Sequence, residues 1–496
     1  MNDVWAVSRN FEPVKFSEEA CQRVAKSRDF VETILKENRV IYGITTGVGE
    51  LVKTLISPKE SEILQKNLIR SHAVGVGAPF PEDVVRGMIL LRANALAKGY
   101  SGVREEIIDF LIELLNRKVF PFVPSQGSVG ASGDLAPLSH LALVIMGEGE
   151  CLKDGKRVPS LKILREKGLK PMKLLAKEGL ALINGTQVMA SLGCLAATEA
   201  ELLMKNAQIA GALSLEALKG TARAFDPKIH ELRPYRGQIR CAKNMRRLVE
   251  GSAIIASHKN CEKVQDAYSL RCIPQVYGSI LDTIEYVKSI LAIEINSATD
   301  NPLIFADEGE VISAGNFHGE PLAFAMDFLG IALSEIGSVS ERTVDRLVNP
   351  HVSGLPPFLA KKSGLNSGFM IAQYTAASLV SENKVLAFPS SVDSIPTSAG
   401  QEDHVSMGTI SARHAWKILQ NVENVLAIEM ICAAQGVDFH HHSPGVGTKA
   451  AYHTIRKHIK PVEEDRVLYR DIEKAKELIV SGEIVRNVEE AIGHLE

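Results

Sequence analysis

The stretch Gly127-Ser128-Val129-Gly130-Ala131-Ser132-Gly133-Asp134-Leu135-Ala136-Pro137-Leu138 decides how the rest of the chain is interpreted. It combines glycines and small polar residues with a largely apolar run from Leu138 to Met146, which is long enough to begin a buried helix. Asp134 stands where an N-cap is expected, and Pro137 falls in a first turn, which tolerates proline. The stretch therefore predicts a tight loop that leads into the positive end of a helix.

Three interpretations compete for this loop. A phosphate-binding loop is the first, but the GK[ST] ending that supplies a lysine and a metal-binding hydroxyl is missing. An ordinary glycine turn is the second. The third is chemical: the Gly133 amide can bend back onto the Ala131 carbonyl, because glycine has no Cβ to obstruct the fold. Ring closure and dehydration of Ser132 would then leave a methylidene-imidazolone, an electrophile made from backbone.

The run Gly130-Ala131-Ser132-Gly133-Asp134-Leu135, followed by Pro137-Leu138, resembles the signature of the aromatic amino acid ammonia-lyases. The resemblance implies a 4-methylidene-imidazol-5-one cofactor formed from Ala131, Ser132 and Gly133, with no metal. It also implies the family's fold over most of the chain, because further motifs that match the family extend from Tyr42 to Glu402.

Composition is that of an ordinary soluble globular protein, with 496 residues, 45% hydrophobic and 23% charged. A net charge of −3 gives no reason to expect nucleic acid or an anionic membrane as a partner. The cysteines are scattered and form no CxxC pair, and no signal peptide precedes them, which predicts reduced thiols and a cytoplasmic location. They are Cys21, Cys151, Cys194, Cys241, Cys261, Cys272 and Cys432.

The glycine-rich segment from Ile41 to Gly49 is either an ordinary connector or a mobile lid with one phenol, Tyr42, at its base. The family resemblance favours the lid and makes Tyr42 the proposed catalytic base. A free phenol has a pKa of about 10, so we expect nearby positive charge or hydrogen-bond donors to lower it.

Two further motifs are ambiguous without the resemblance. His72 ends a helix that a capping box at Ser57-Pro58-Lys59-Glu60 is expected to open, and a histidine there is usually a capping or solvated residue. Asn184, in Asn-Gly-Thr, is by itself a turn and N-cap signal. In the family, the residue that matches His72 lies where the substrate ring binds. The residue that matches Asn184 faces the cofactor and the substrate amine.

The segment 265–271 is predicted to be helical, which would place Gln265, Tyr268 and Arg271 along one face. Such a face is either a surface helix with ion pairs or a receptor for an amino acid's carboxylate. In the second case Arg271 would hold the carboxylate by a bidentate pair. The resemblance implies that Gln265 and Tyr268 help to orient the amine and the cofactor.

Phe317 and Glu402 complete the set of candidates. Phe317 lies in a glycine-flanked loop that it could simply anchor, but the matching phenylalanine of the family lines the active site. Glu402 precedes a helix, where the helix dipole alone would explain an acid. It nevertheless resembles the glutamate that faces the ring in histidine-specific members. Gly400 departs from the asparagine of that pattern.

The chain is predicted to be mainly α, a long-helix bundle of the aromatic amino acid ammonia-lyase (fumarase-like) type with a small hairpin at the Asp154-Gly155 turn. Residues 1–200 would carry the lid and the cofactor loop, and residues 201–496 the long helices. His440-His441-His442 is assigned to the surface, because adjacent histidines cannot converge on one metal ion from a helix. The predicted helices are 17–37, 82–98, 104–117, 280–296, 319–347, 366–386, 406–435 and 465–480.

The resemblance implies elimination of ammonia from L-histidine to give urocanate, with His72 and Glu402 binding the imidazole and Arg271 the carboxylate. It also implies a homotetramer whose sites are shared between chains. A lyase or aminomutase with the same cofactor that acts on tyrosine or phenylalanine is the alternative in the same family. A non-catalytic helical protein and a fumarase-like lyase, which would not need Ala-Ser-Gly, are the alternatives outside it.

Overall fold

The structure is a computed structural model that describes residues 1–57, 60–258 and 264–496. Its contacts divide the chain into two compact units whose segments alternate along the sequence. The first unit comprises Met1–Leu195, Lys288–Asp327 and Pro389–Arg413. The second comprises Ala196–Val287, Phe328–Phe388 and His414–Glu496.

Long helices dominate the architecture, as predicted. Four of them contribute residues to both units: Gln187–Ala217, Ile273–Glu294, Glu320–Val348 and Gly408–Asp438. The first unit also contains the helices Asn2–Arg9, Glu18–Lys36, Ser61–His72, Glu82–Ala97, Glu105–Asn116, Leu135–Ile145, Ser160–Glu166 and Glu178–Ile183. The second also contains the helices Pro227–Glu231, Arg236–Leu248, Ala253–Ala256, Tyr268–Arg271, Pro350–Ser353, Met370–Leu386, Val446–His458, Tyr469–Val480 and Glu483–Ile492.

Short strands lie in the first unit and form three small antiparallel sheets. The predicted hairpin is confirmed: Asp154 and Gly155 both have positive φ, the conformation that a two-residue hairpin turn requires. Lys153 pairs with Lys156 across that turn. The strands are Val76–Pro79, Phe120–Pro121, Pro124–Gln126, Glu150–Lys153, Lys156–Pro159, Leu303–Phe305 and Glu310–Ile312.

Local signals explain where several helices begin. Ser17 accepts a hydrogen bond from the Ala20 amide and caps Glu18–Lys36, whose first turn is acidic. The helix predicted to open at Ser57 is described from Ser61 onward, and the Pro58 and Lys59 positions lie outside the described residues. The predicted capping box does not cap this helix: Glu60 is the N-cap and makes no side-chain capping bond, and the Ser57 hydroxyl donates to the Glu60 carboxylate at 2.6 Å before the helix begins.

One helix prediction is wrong in part, and several helices were not predicted. The helical segment near residue 268 contains only Tyr268–Arg271, so Gln265 precedes it and does not share its face. Ala267 is the N-cap and has an extended backbone conformation, so the helix begins at Tyr268 and does not reach back to Gln265. The helix Val446–His458 buries glycine, threonine and alanine with only one large apolar residue, so its sequence has little hydrophobic periodicity. Asn2–Arg9, Arg236–Leu248 and Glu483–Ile492 are among the other helices that were not predicted.

The helix Glu320–Val348 is long and apolar enough to cross a membrane by length and composition, but 61% of its most apolar window is buried within the protein. Core helices share these properties. All six cysteines within the described residues are free thiols, and Cys261 lies outside them.

Candidate active site

The loop Gly127–Gly133 is held in a conformation that depends on its glycines. Gly130, Ser132 and Gly133 all have positive φ, of 80°, 52° and 84°. A Cβ at Gly133 would lie 2.1 Å from the Gly185 carbonyl oxygen, and one at Gly130 would lie 2.2 Å from the Ser406 hydroxyl. Ser132 therefore adopts, between two glycines, a backbone conformation that L-residues rarely adopt.

Asp134 anchors the end of this loop, but not in the way its position suggests. It precedes the helix Leu135–Ile145 without capping it. Its Oδ2 instead accepts from the amides of Val188 at 2.8 Å and Met189 at 3.2 Å, at the start of another helix, while Oδ1 accepts from the Thr409 hydroxyl. Complete burial raises the pKa of Asp134 to about 6, although these three donors oppose the rise.

Asn184 is joined to the loop through its neighbour Gly185. The Gly185 amide donates to the Ser132 carbonyl at 3.2 Å, and the Asp134 amide donates to the Gly185 carbonyl at 2.7 Å. The Asn184 side chain donates to the Asn301 carbonyl at 2.9 Å. Its Oδ1 is buried and has no hydrogen-bond partner among the described residues. Asn184 therefore retains a buried acceptor next to the Gly127–Gly133 loop.

A group of buried charged side chains, which the sequence analysis missed, contacts the Asn184 backbone through Arg92. Arg92 is fully buried and donates to the Asn184 carbonyl at 2.6 Å. Burial lowers the pKa of Arg92 to about 10, although Asp300 and Asp134 oppose the shift. Asp300 also pairs with buried Lys177 at 2.7 Å. The available signal was the presence of two arginines, Arg86 and Arg92, within an otherwise apolar helix.

The loop from Ile41 to Gly49 holds Tyr42 half-buried, with its hydroxyl accepting from the Gly49 amide at 3.2 Å. Burial raises the pKa of the Tyr42 phenol, the Gly49 amide opposes this, and the charge of Glu402 adds to the rise. None of these three influences is a cation. The expectation of a lowered pKa is therefore wrong for the chain by itself, because burial and the Glu402 carboxylate both disfavour a phenolate.

His72 ends the helix Ser61–His72 and is oriented by that helix. Its Nδ1 lies 2.8 Å from the Leu68 carbonyl oxygen and 3.0 Å from the Ser71 hydroxyl. Because a carbonyl only accepts, we assign the proton to Nδ1, which leaves Nε2 as an acceptor in the neutral ring. Burial lowers the pKa of His72, and the Leu68 carbonyl and the Glu402 charge oppose the shift. His72 therefore offers a ligand a neutral acceptor.

The Glu402 carboxylate acts on three of the candidate residues: Ser132, Tyr42 and His72. Its Oε1 lies 3.4 Å from the Ser132 hydroxyl, and its charge acts on both Tyr42 and His72. A turn from Thr397 to Glu402 presents the carboxylate, and Gly400 lies in it at φ 87°. Asparagine and glycine are the residues that tolerate this conformation, which explains how Gly400 can replace the expected asparagine.

The first unit thus contains most of the predicted site, and the second contains the rest. Phe317 is half-buried in the first unit, beside His318, whose ring stacks on His404 at 5.9 Å. In the second unit, Gln265 and Tyr268 are exposed, and the Arg271 guanidinium lies 4.5 Å from the centre of the Tyr268 ring. The members within the first unit are Tyr42, His72, Ala131, Ser132, Gly133, Asn184, Phe317 and Glu402.

None of the arrangements of three or more histidine, cysteine, aspartate or glutamate side chains in residues 1–57, 60–258 and 264–496 could hold a metal ion. His440, from the histidine run, instead makes a contact of 2.8 Å with the Ala217 carbonyl through Nε2.

Known proteins resemble this chain over its full length. A histidine ammonia-lyase from Alkaliphilus oremlandii is 56% identical over 493 residues, which cover 99% of this chain and 97% of that protein. The crystal structure of histidine ammonia-lyase from Trypanosoma cruzi is 44% identical, with a TM-score of 0.92 and coverage of 99% and 93%. That of a tyrosine aminomutase from Streptomyces globisporus is 40% identical, with a TM-score of 0.95 and coverage of 100% and 98%.

The family description that matches the chain, aromatic amino acid lyase, covers residues 1–457 and so includes the Gly127–Gly133 loop, the Tyr42 loop and the Glu402 turn. By this match, and by relatives more than 50% identical over nearly their whole length, the chain belongs to the aromatic amino acid lyase family.

Proposed function

We propose that this protein eliminates ammonia from L-histidine to give trans-urocanate. The observation that supports this most directly is the Glu402 carboxylate, which lies 3.4 Å from the Ser132 hydroxyl and whose charge acts to raise the pKa of both Tyr42 and His72. This arrangement combines a candidate base, two polar groups suited to an imidazole, and the serine of the cofactor-forming tripeptide. Relatives named histidine ammonia-lyase, with more than 50% identity, support the same substrate.

We further propose that Ala131, Ser132 and Gly133 form the methylidene-imidazolone. In this reaction, the Gly133 nitrogen attacks the Ala131 carbonyl carbon and one water leaves; Ser132 then loses its α-hydrogen and hydroxyl as a second water. The residues fit this product, because Gly133 has no room for a Cβ and Ser132 has positive φ. The unpartnered Oδ1 of Asn184 supplies a buried acceptor beside the tripeptide. When formed, the group is an electrophile that turns the substrate amine into a better leaving group.

The side chains of this protein would remove the β-proton and bind the substrate's amine and ring. Tyr42 removes the β-proton, and Asn184 accepts from the substrate amine through Oδ1. His72 Nε2 and the Glu402 carboxylate are both acceptors, so together they favour a ring that donates from both nitrogens. An imidazolium ring does this, whereas a phenyl ring would leave both acceptors unpaired. Phe317 is proposed to line the site.

We propose that the protein is a homotetramer and that sites shared between chains include Gln265, Tyr268 and Arg271. Arg271 has the fork geometry that holds a carboxylate, and its buried Nε has no hydrogen-bond partner among the described residues. The guanidinium would also add a positive charge, whereas the influences on the pKa of Tyr42 among the described residues are burial, the Gly49 amide and the Glu402 charge. Light scattering at assay concentration tests the assembly, and an active monomer would contradict it.

The decisive experiment is an ultraviolet assay of the wild-type protein with L-histidine, L-tyrosine and L-phenylalanine, combined with an intact mass. We expect urocanate from histidine and a mass lower by about 36 Da, the loss of two waters, than the sequence requires. The absence of urocanate would contradict the proposed substrate. An unmodified mass in an active enzyme would contradict the proposed cofactor.

A lyase or aminomutase that acts on tyrosine or phenylalanine is the alternative, and the similarity to a tyrosine aminomutase structure favours it. The polar pair His72 and Glu402 argues against a phenyl ring, and chromatography of the products for β-amino acids separates the two activities. We also propose a cytoplasmic location, consistent with the six free thiols among the described residues.

A further inference from the structure

The turn that presents Glu402 is closed by Thr397. The Thr397 amide donates to the Glu402 carbonyl at 2.9 Å, and the Glu402 amide donates back to the Thr397 carbonyl at 3.3 Å. Between them, Ser398, Ala399 and Gly400 all have positive φ. Two non-glycine residues in this conformation store strain, which persists only where surrounding contacts fix the turn.

The two oxygens of the Glu402 carboxylate have different partners. Oε2 accepts from the Thr397 hydroxyl at 2.8 Å, within the turn. Oε1 faces the Ser132 hydroxyl at 3.4 Å. The hydroxyl of Ser132 leaves when the cofactor forms, so Oε1 loses that partner and becomes available to a ligand. The bond to Thr397 does not depend on Ser132 and remains.

After Ser132 has reacted, the Thr397 hydroxyl is the one hydrogen-bond donor that still holds the Glu402 side chain among residues 1–57, 60–258 and 264–496. A glutamate side chain has three rotatable bonds, and ordering it costs conformational entropy. A donor that fixes one oxygen reduces the number of orientations available to the other. Oε1 is then aimed before the substrate arrives, which lowers the cost of binding.

We propose that Thr397 is a specificity-determining positioning residue: its hydroxyl orients the Glu402 carboxylate so that Oε1 accepts an N–H from the imidazole of the substrate. This inference rests on the proposed histidine substrate. It assigns Thr397 no contact with the reacting atoms, since its effect acts through Glu402. A ring without an N–H gains nothing from this orientation, so Thr397 favours imidazole substrates selectively.

The same turn also contacts the lid. The Ser398 hydroxyl lies 2.7 Å from where a Cβ at Gly49 would be, and Gly49 is the residue whose amide donates to the Tyr42 hydroxyl. The turn therefore lies against the segment that orients the proposed base. Disordering the turn as a whole would disturb both groups, whereas removal of the Thr397 hydroxyl alone should disturb only Glu402.

The test is a double-mutant cycle with Thr397→Val, Thr397→Ser and Glu402→Gln. Valine keeps the shape of threonine without the hydroxyl, and serine keeps the hydroxyl. We expect Thr397→Val to lower kcat/KM for L-histidine by about 10- to 100-fold, the effect of one hydrogen bond to a charged group. Thr397→Ser should stay within about threefold of wild type, since it keeps that bond. In the Glu402→Gln background, Thr397→Val should cost less than about threefold, because coupled residues are not additive.

Intact mass and Tm of every variant identify failures of maturation or folding. All variants should show the same loss of two waters, so a kinetic difference cannot be attributed to a missing cofactor. Thr397→Val with wild-type kcat/KM, or with the same cost in both backgrounds, overturns the role of Thr397. A variant that fails to mature or unfolds also overturns it, because the hydroxyl then acts on the fold. A wild type that does not deaminate histidine overturns the proposed function as well.

Discussion

Arg92 donates from Nη1 to the backbone carbonyl of Asn184 at a distance of 2.6 Å, and both residues are buried. Asn184 and Gly185 are adjacent, and Gly185 bonds to both Ser132 and Asp134. Thus a guanidinium on the helix Glu82–Ala97 supports the segment that bonds to the Gly127–Gly133 loop and to Asp134. The bond joins residues 92 positions apart.

Arg92→Lys is expected to impair formation of the cofactor. A lysine keeps the charge, but its ammonium cannot reproduce the planar fork of arginine, so the Asn184 carbonyl loses a charged partner. We expect a lower fraction of chains with the mass loss of two waters, and activity lower by about 10- to 100-fold. Intact mass, kcat and Tm are the measurements.

Arg86→Lys is the matched control for this prediction. Arg86 lies on the same helix, is equally buried, and bonds to the carbonyls of Val7 and Leu115. Both variants should lower Tm, but Arg86→Lys should mature normally. Equal maturation in the two variants would show that Arg92 contributes only to stability.

Ser132→Ala should abolish activity while the fold survives, because alanine has no hydroxyl to lose. Chemistry of this kind removes more than about 8 kcal/mol from a barrier, so turnover should fall by orders of magnitude. Ser139→Ala is the control, since the Ser139 hydroxyl donates to the Leu135 carbonyl within the helix Leu135–Ile145. Residual turnover above a few per cent in Ser132→Ala would exclude the electrophile.

Tyr42→Phe should remove the proposed base and with it the rise of activity with pH. Burial and the Glu402 charge raise the pKa of Tyr42, so at neutral pH only a small fraction is phenolate within the isolated chain. The kcat/KM of the wild type should therefore increase from pH 7 to 9, by up to about tenfold per unit.

The variant should be slower by at least about 100-fold, the contribution of one general base, and should show no such rise. Tyr100→Phe, at another phenol of the same unit, should behave as wild type. A wild-type profile that is flat from pH 7 to 9 would mean that the assembled enzyme lowers the pKa of Tyr42 or that another group is the base.

Substrate choice should depend on His72 and Glu402. A phenylalanine ring would leave both acceptors buried and unpaired, at about 1–3 kcal/mol each. We therefore expect histidine to be preferred over phenylalanine by about 10⁴ in kcat/KM, and over tyrosine by somewhat less, because a phenol satisfies one acceptor. Glu402→Gln and His72→Leu should each lower histidine turnover heavily, and His72→Leu should admit aromatic rings weakly. A wild type that prefers tyrosine would refute both assignments.

Stability should respond to pH through Glu429, a fully buried carboxyl in the second unit. Its Oε1 accepts from the Ser214 hydroxyl at 2.9 Å, and burial raises its pKa to about 7. A carboxyl with a raised pKa in the folded state binds its proton more tightly there than when unfolded. Its contribution to stability is therefore complete below the unfolded pKa of about 4.3 and is lost as pH rises through about 7.

Glu429→Gln carries no charge at any pH and should remove this dependence. At pH 8 its Tm should exceed that of wild type, and at pH 4 the two should be similar. Glu477→Gln, at an exposed carboxylate of the same unit, should leave Tm unchanged at both values. A constant difference between wild type and Glu429→Gln across this range would contradict the raised pKa.

Local patterns in the sequence were sufficient wherever neighbouring residues determine the structure. The helix Glu18–Lys36 follows from its capping serine and acidic first turn, and the Asp154-Gly155 hairpin from residues that tolerate positive φ. The glycines of the cofactor loop likewise mark a backbone that no side chain could fit. These features depend on steric constraints and hydrogen bonds between residues that are close in the sequence, so the sequence alone predicts them.

Tertiary structure alone decided the partners of the polar groups. Asp134 was expected to cap its own helix, but its carboxylate reaches Val188, and Arg92 reaches Asn184. Tyr42 was expected to have a lowered pKa, but burial and Glu402 raise it. Nothing local selects such partners, because a buried charge bonds to whichever donor or acceptor the packing brings within about 3 Å. The sequence by itself thus determined which chemistry is available, and the fold decided which residues hold it in place.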